Sequence, residues 1–216
     1  MAHLEPRRLR PLSTPRAAAV AGIVFAVLFT VSIVLLRTTL PGDPFSEAAW
    51  AGPRGVRIKI ALIVSPLAGI AFLWFLGVIR DRLGDYEDRF FSTVMLGSGL
   101  LFLAMVFVSM AIAGGILATA RHVATPDDDL VYFGREVMLQ INGVYAVRMA
   151  GVFMISLGTI WLRTALMPRL LVITTYTLAL FLLLVVSLSV WVALVFPAWV
   201  LLISLYILTN PLAHQN

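Results

Sequence analysis

The chain has no cysteine, a single lysine (Lys59), and only three histidines, His3, His122 and His214. Without cysteine, disulfides and thiolate chemistry are excluded. The histidines all lie at or beyond the ends of the long apolar runs, so none can pair with another to hold a haem between helices. A membrane metalloprotease needs histidine and glutamate on helix faces, and the runs contain neither. A serine hydrolase needs a histidine base beside its serine. Gly97-Ser98-Gly99 has none and reads as close packing. Lys59 sits at the end of a run, which argues against a buried Schiff-base lysine. No Asp or Glu falls inside an apolar run, so the intramembrane carboxylate that proton-driven transporters use is missing too.

Charge is scarce overall. Asp, Glu, Lys and Arg make up 12% of the 216 residues, while 61% are hydrophobic. An ordinary soluble domain is about a quarter charged. A water-soluble fold of this size could not cover so much apolar surface with so little polar material. The net charge of +5 is scattered between apolar runs and forms no basic stripe, so it points to membrane topology and not to nucleic acid.

The runs have the length of membrane spans. Residues 17–36 and 60–79 are each 20 residues without charge, and residues 90–120 are 31. Twenty residues of helix rise about 30 Å, one hydrocarbon thickness. A fourth run, 139–162, carries one charge, Arg148. The last, 170–213, is 44 residues long, and as one helix would be twice the bilayer, so it must fold back. Continuous runs of this length argue against β-barrel strands, which are short and alternate. The expectation is an all-α polytopic bundle of about six spans, near 17–36, 60–79, 91–119, 139–162, 170–187 and 191–209. Residues 1–16 and 211–216 are tails. The last turn is expected near Ser187 to Trp191, with a turn near Pro197 as the alternative. The first span reads as a retained helix, because its apolar stretch is too long for a signal core and Arg37 follows without a small-residue cleavage site.

Placing the N-terminus in the cytoplasm puts nine Lys and Arg residues inside and six outside, which favours N-in and C-in. Asp43-Pro44 is a helix-start signal and Gly52-Pro53 a stop, so a short interfacial helix or an ordinary turn joins the first two spans. Asp127-Asp128-Asp129 suits the N-terminus of the fourth helix better than a metal site, since consecutive carboxylates converge poorly on one ion. Residues 80–89 form a mixed-charge connector, either solvated or a docking site for a partner. Small residues recur at helical spacing: Ala18, Gly22 and Ala26; Ala111 and Gly115; Ala146 and Ala150; Gly143 and Gly151. Such faces let backbones approach, within one bundle or between copies. Pro66 and Pro197 are expected to kink their helices.

Arg148 is the one formal charge inside a run. An arginine at mid-helix costs about 2.5–3.5 kcal/mol on insertion scales. No intramembrane carboxylate is there to pair with it. It therefore snorkels to the interface, bonds to carbonyls and Tyr145, or holds an anion or lipid head group. The candidate binding residues are Arg148, Tyr145 and Asn142, with no catalytic or metal-ligating set.

The stretch from Phe72 to Gly84, then Asp88-Arg89-Phe90-Phe91, and Val144-Tyr145-Ala146-Val147-Arg148-Met149-Ala150 together resemble uncharacterised six-helix membrane proteins of GC-rich Gram-positive (actinobacterial) bacteria. The resemblance implies a helical bundle in a bacterial cytoplasmic membrane and carries no activity with it. The expected function is a non-enzymatic structural or interaction subunit. The alternative is a carrier or binder of a lipid or small anion at a polar pocket around Arg148. The expected partners are the lipid bilayer and a second copy or another membrane protein, with no nucleic acid and no cofactor.

Overall fold

The computed structural model describes residues 15–39, 52–83, 89–122, 128–184 and 191–209. They form α1 (Pro15–Thr39), α2 (Gly52–Leu83), α3 (Arg89–His122), α4 (Asp128–Gln140), a π-turn (Ile141–Ala146), α5 (Val147–Thr164), α6 (Arg169–Leu184), a 3-10 turn (Val192–Leu194) and α7 (Val195–Thr209). No strand occurs among the described residues, and the fold is the expected all-α bundle.

Five stretches are long and apolar enough to cross a bilayer: Arg16–Thr39, Arg54–Asp81, Arg89–Thr119, Asp129–Thr164 and Val192–Thr209. The sixth apolar helix, Arg169–Leu184, has 16 described residues, about 24 Å of rise. The outward faces carry large apolar side chains, among them Trp74, Ile63 and Leu170, at 69%, 59% and 74% exposure. Water would penalise such a surface, whereas hydrocarbon tails match it. The described helices are those of a multi-pass membrane protein.

The fourth span differs most from the sequence expectation. Its helix begins at Asp128, well before Leu139, and runs without a break through α4, the π-turn and α5. Arg135 and Glu136 look like a boundary in the sequence, but they pair with each other, so the helix continues through them. Helix α5 stops where Ala165 takes a left-handed conformation, φ 54°. The carbonyl of Pro168 then accepts the Leu171 and Val172 amides at 3.0 and 3.3 Å and opens α6.

Pro66 lies inside α2 and cannot donate to the Leu62 carbonyl one turn back. The neighbouring Ala61 carbonyl accepts the Ser32 hydroxyl of α1 at 2.9 Å, so a side chain from another helix supports the backbone at this turn. Pro197 is the third residue of α7. The 3-10 turn Val192–Leu194 leads directly into α7, so the proline lies just after the change from 3-10 to α bonding and not in the middle of a long α-helix. The interfacial segment expected between the first two spans and most of the expected last turn lie outside the described residues. So does half of the mixed-charge connector, residues 84–88.

Helix α1 packs on α2 and α7, α3 on α2 and α5, and α5 on α6. Where α1 meets α7, Gly22 faces Ser204, and a Cβ on Gly22 would run into the Ser204 hydroxyl and, at 2.9 Å, the Phe75 ring. Ala18 and Ala26 are buried on the same stripe. The seam between α5 and α6 is also tight, since a Cβ on Gly151 would lie 3.1 Å from the Ala179 carbonyl oxygen. By contrast, the backbone of α7 approaches α5 and α6 at few points. Aromatic side chains fill that gap. Phe196 of α7 packs against Phe102 at 4.7 Å and Phe153 at 5.8 Å between ring centroids. Trp199 lies against Trp161 and donates its indole N–H to Thr175 of α6 at 2.9 Å. Phe25, Phe72, Phe102, Phe153 and Phe196 form one continuous ring cluster in the bundle's middle.

Candidate functional site

The cations mark two levels. Arg16 and Arg37 on α1 are about 31 Å apart by helix rise, as are Lys59 and Arg80 on α2. Gly143 and Arg163 on the fourth span are about 30 Å apart. Each spacing equals one hydrocarbon thickness. The level of Arg16, Arg80 and Arg163 carries exposed arginines, with Arg163 also 4.9 Å from the Phe91 ring centroid. The level of Arg37, Lys59 and Gly143 is organised differently.

Arg37 occupies the last turn of α1. That turn stays helical because Thr38 and Thr39 return their hydroxyls to the carbonyls of Val34 and Leu35, at 2.8 and 2.6 Å. The Arg37 side chain turns into the bundle and is only partly accessible. Its Nη2 would lie 4.0 Å from a Cβ on Gly143, so the guanidinium reaches the π-turn of the fourth span. Its Nε is buried without a hydrogen-bond partner. No carboxylate among the described residues pairs with it.

Arg135 of α4 is the second cation here. It lies about two turns from Gly143 along the helix, on the N-terminal side. Its Nη1 pairs with Glu136, while its Nε is buried with no partner. The Arg135 side chain is 17% exposed. Both cations are thus partly buried, and the carboxylate of Glu136 serves Arg135. Desolvation disfavours an unpaired guanidinium such as Arg37 unless an anion joins it.

The π-turn shapes the floor of this region. Such turns insert an extra residue into a helix and often mark functional sites. Just before it, the Ser109 hydroxyl of α3 donates to the Met138 carbonyl at 3.1 Å and pins α4 to α3. Within it, Asn142 is 2% exposed and Gly143 presents bare backbone toward Arg37.

The three residues singled out from sequence divide between faces. Asn142 turns inward. Tyr145 is 55% exposed, and Arg148, one turn further along, is also exposed on the outside of the bundle. Arg148 lies about 22 Å above Arg163 by helix rise, below the Arg37 level. Its helix runs toward the Arg163 level, and helical side chains lean toward the N-terminus, so Arg148 leans back toward the nearer boundary. In the sequence, Arg37 and Arg135 register only as span-boundary and loop cations. No spacing in the sequence marks Arg37 as reaching Gly143; only the tertiary structure does so.

Ser98 returns its hydroxyl to the carbonyls of Val94 and Met95 at 2.6 and 3.1 Å, and a Cβ on Gly99 would meet Phe153 at 3.3 Å. Gly99 thus sits at a close contact, while Ser98 serves its own helix. The site belongs to a membrane-embedded helical bundle with a cationic, partly buried end. No family model, curated protein or solved structure matches the chain.

Proposed function

We propose that this chain is a non-enzymatic membrane protein that binds an anionic group at Arg37, where the guanidinium reaches the Gly143 turn of the fourth span. One observation carries the reading: the Arg37 guanidinium keeps a buried Nε without an acceptor and has no carboxylate partner among the described residues. Buried donors left unmet cost free energy that a bound acceptor returns. The sequence resemblance supports a bacterial cytoplasmic membrane as the setting.

The test is thermal unfolding of the full chain in mild detergent at constant ionic strength, with chloride exchanged for phosphate. Binding to the folded state alone raises the midpoint. The rise is expected in the natural chain and absent in Arg37→Gln. An equal rise in both proteins would remove Arg37 from the site.

A second reading, an interaction subunit that contacts another copy or another membrane protein, is favoured by α3. Ala111 and Gly115 share an exposed face, and nothing lies within 4 Å of where a Gly115 Cβ would be. Such faces suit close helix pairing in lipid. The chain has no cysteine, so Ala111→Cys introduces the only thiol. Disulfide crosslinking at that position in membranes supports this reading, and a purely monomeric product at high protein density counts against it.

A further inference from the structure

The two ends of the bundle differ in charge. Neighbouring helices run antiparallel: Gly22 meets Phe75 while Ser32 meets Ala61, Gly99 meets Leu76 while Gly114 meets Leu62, and Gly151 meets Ala179 while Gly158 meets Thr175. Phe91 at the start of α3 meets Arg163 at the end of α5. The starts of α1, α3 and α6 and the ends of α2 and α5 therefore share one end. Each of these five termini carries an exposed arginine: Arg16, Arg80, Arg89, Arg163 and Arg169. Asp81 is the one carboxylate among the described residues there. In the whole sequence, the tails and connections at this end hold nine Lys and Arg residues against five Asp and Glu. Those at the other end hold six against six. The excess positive charge is thus confined to one end.

Helix stabilisation does not account for it. Arg16 and Arg169 lie in the first turns of α1 and α6, which hold no acidic residue. A helix N-terminus is already partly positive and disfavours a cation. Nor does one small ion suit the set, because the five side chains stand on five different helices. They lie about one hydrocarbon thickness from the Arg37 level, which is the depth of lipid head groups. Phe90, next to Arg89, is 68% exposed, and the Arg163 guanidinium is steadied 4.9 Å from the Phe91 ring centroid. Apolar rings beside cations match the edge of the hydrocarbon and the phosphates just above it.

We infer that this end of the bundle is a docking surface for anionic phospholipids, whose head groups carry the net negative charge that Arg16, Arg80, Arg89, Arg163 and Arg169 meet. A zwitterionic lipid brings its own ammonium and leaves the excess uncompensated. The surface is independent of the anion reading above, because Arg37 lies at the opposite end. Arg148 stands alone within its span and is no part of it.

The experiment uses the full chain reconstituted in phosphatidylcholine vesicles. Electron spin resonance reads the share of spin-labelled lipid held at the protein surface, with phosphatidylglycerol and phosphatidylcholine labels compared. At low salt the natural chain is expected to prefer phosphatidylglycerol by at least about threefold. The preference should fall toward parity in about 1 M salt, where screening acts within about 3 Å. It should also fall toward parity in a protein carrying Arg16→Gln, Arg80→Gln and Arg169→Gln together. It should persist in Arg37→Gln, and in a protein carrying Arg54→Gln, Arg57→Gln and Lys59→Gln, three exposed cations at the other end. Equal association of the two lipids with the natural chain at low salt overturns the inference. So does a preference that ignores the Arg16, Arg80 and Arg169 changes, or one lost as fully by the changes at the other end. If the preference vanishes only in Arg37→Gln, the lipid sits at Arg37: the anion reading stands and this surface does not. The salt series needs no variant, so it decides the matter even where the triple substitution misfolds.

Discussion

Arg37 and Arg148 are the same side chain in the same half of the bundle, and the bundle treats them in opposite ways. Arg148 points away from the other helices, where its aliphatic stem lies among acyl chains and its head leans toward the boundary. Arg37 points between helices, toward Gly143, and ends with a buried donor unmet. Snorkelling lowers the cost of the first, since lipid deforms and head groups are mobile. The second has protein on several sides that cannot move to meet it. A charged residue inside a membrane thus says little about function until its face is known. The outward one is solvated by whatever lipid is present, whereas the inward one selects.

Inward and outward positions should respond differently throughout the bundle, and the largest contrast is expected at glycines. Gly22→Leu drives a side chain into Ser204 and Phe75 where α1, α2 and α7 meet. It should cost about 3 kcal/mol or prevent folding. Gly97→Leu meets nothing within 4 Å, and should change stability by less than about 0.5 kcal/mol. Denaturant titration in mixed micelles measures both. Equal losses at the two sites would erase the distinction between a packed and a lipid-facing side.

The arginines come next. Arg37→Leu removes an unpaired, partly buried charge, so the lipid-free protein should gain on the order of 2 kcal/mol while losing its anion response. Arg148→Leu should leave the anion response intact and ease membrane insertion by about 2.5 kcal/mol. A glycosylation-based insertion assay on the fourth span reads that second effect. If Arg37→Leu instead destabilised the stripped protein as strongly as a core truncation, the guanidinium would have a structural partner within the protein.

Smaller effects probe the seam that aromatic side chains bridge. Trp199→Phe keeps the ring packing but gives up the 2.9 Å bond to Thr175. It should cost about 1 kcal/mol, since the Thr175 hydroxyl also returns to the Leu171 carbonyl at 2.8 Å and is not stranded. Ala165→Gly relaxes the left-handed stop between α5 and α6 and should stabilise by about 0.5 kcal/mol, with the gain limited by glycine's extra freedom when unfolded. Midpoint shifts in the same micelles register both.

The long charge-free stretches determined the helical class, the membrane as solvent and most helix positions, because helix rise and bilayer thickness leave a 20-residue apolar run few alternatives. The stripe of Ala18, Gly22 and Ala26 was also legible as a packing face, since spacing of four is a property of the chain itself. The tertiary structure alone decided that Ala111 and Gly115, with the same spacing, face outward. It also decided that the fourth helix starts at Asp128, because Arg135 and Glu136 satisfy each other. Which arginine turns inward was beyond the sequence. Periodicity within one helix gives a face but not its neighbour, and that the Arg37 side chain reaches the Gly143 turn is a property of the folded bundle alone.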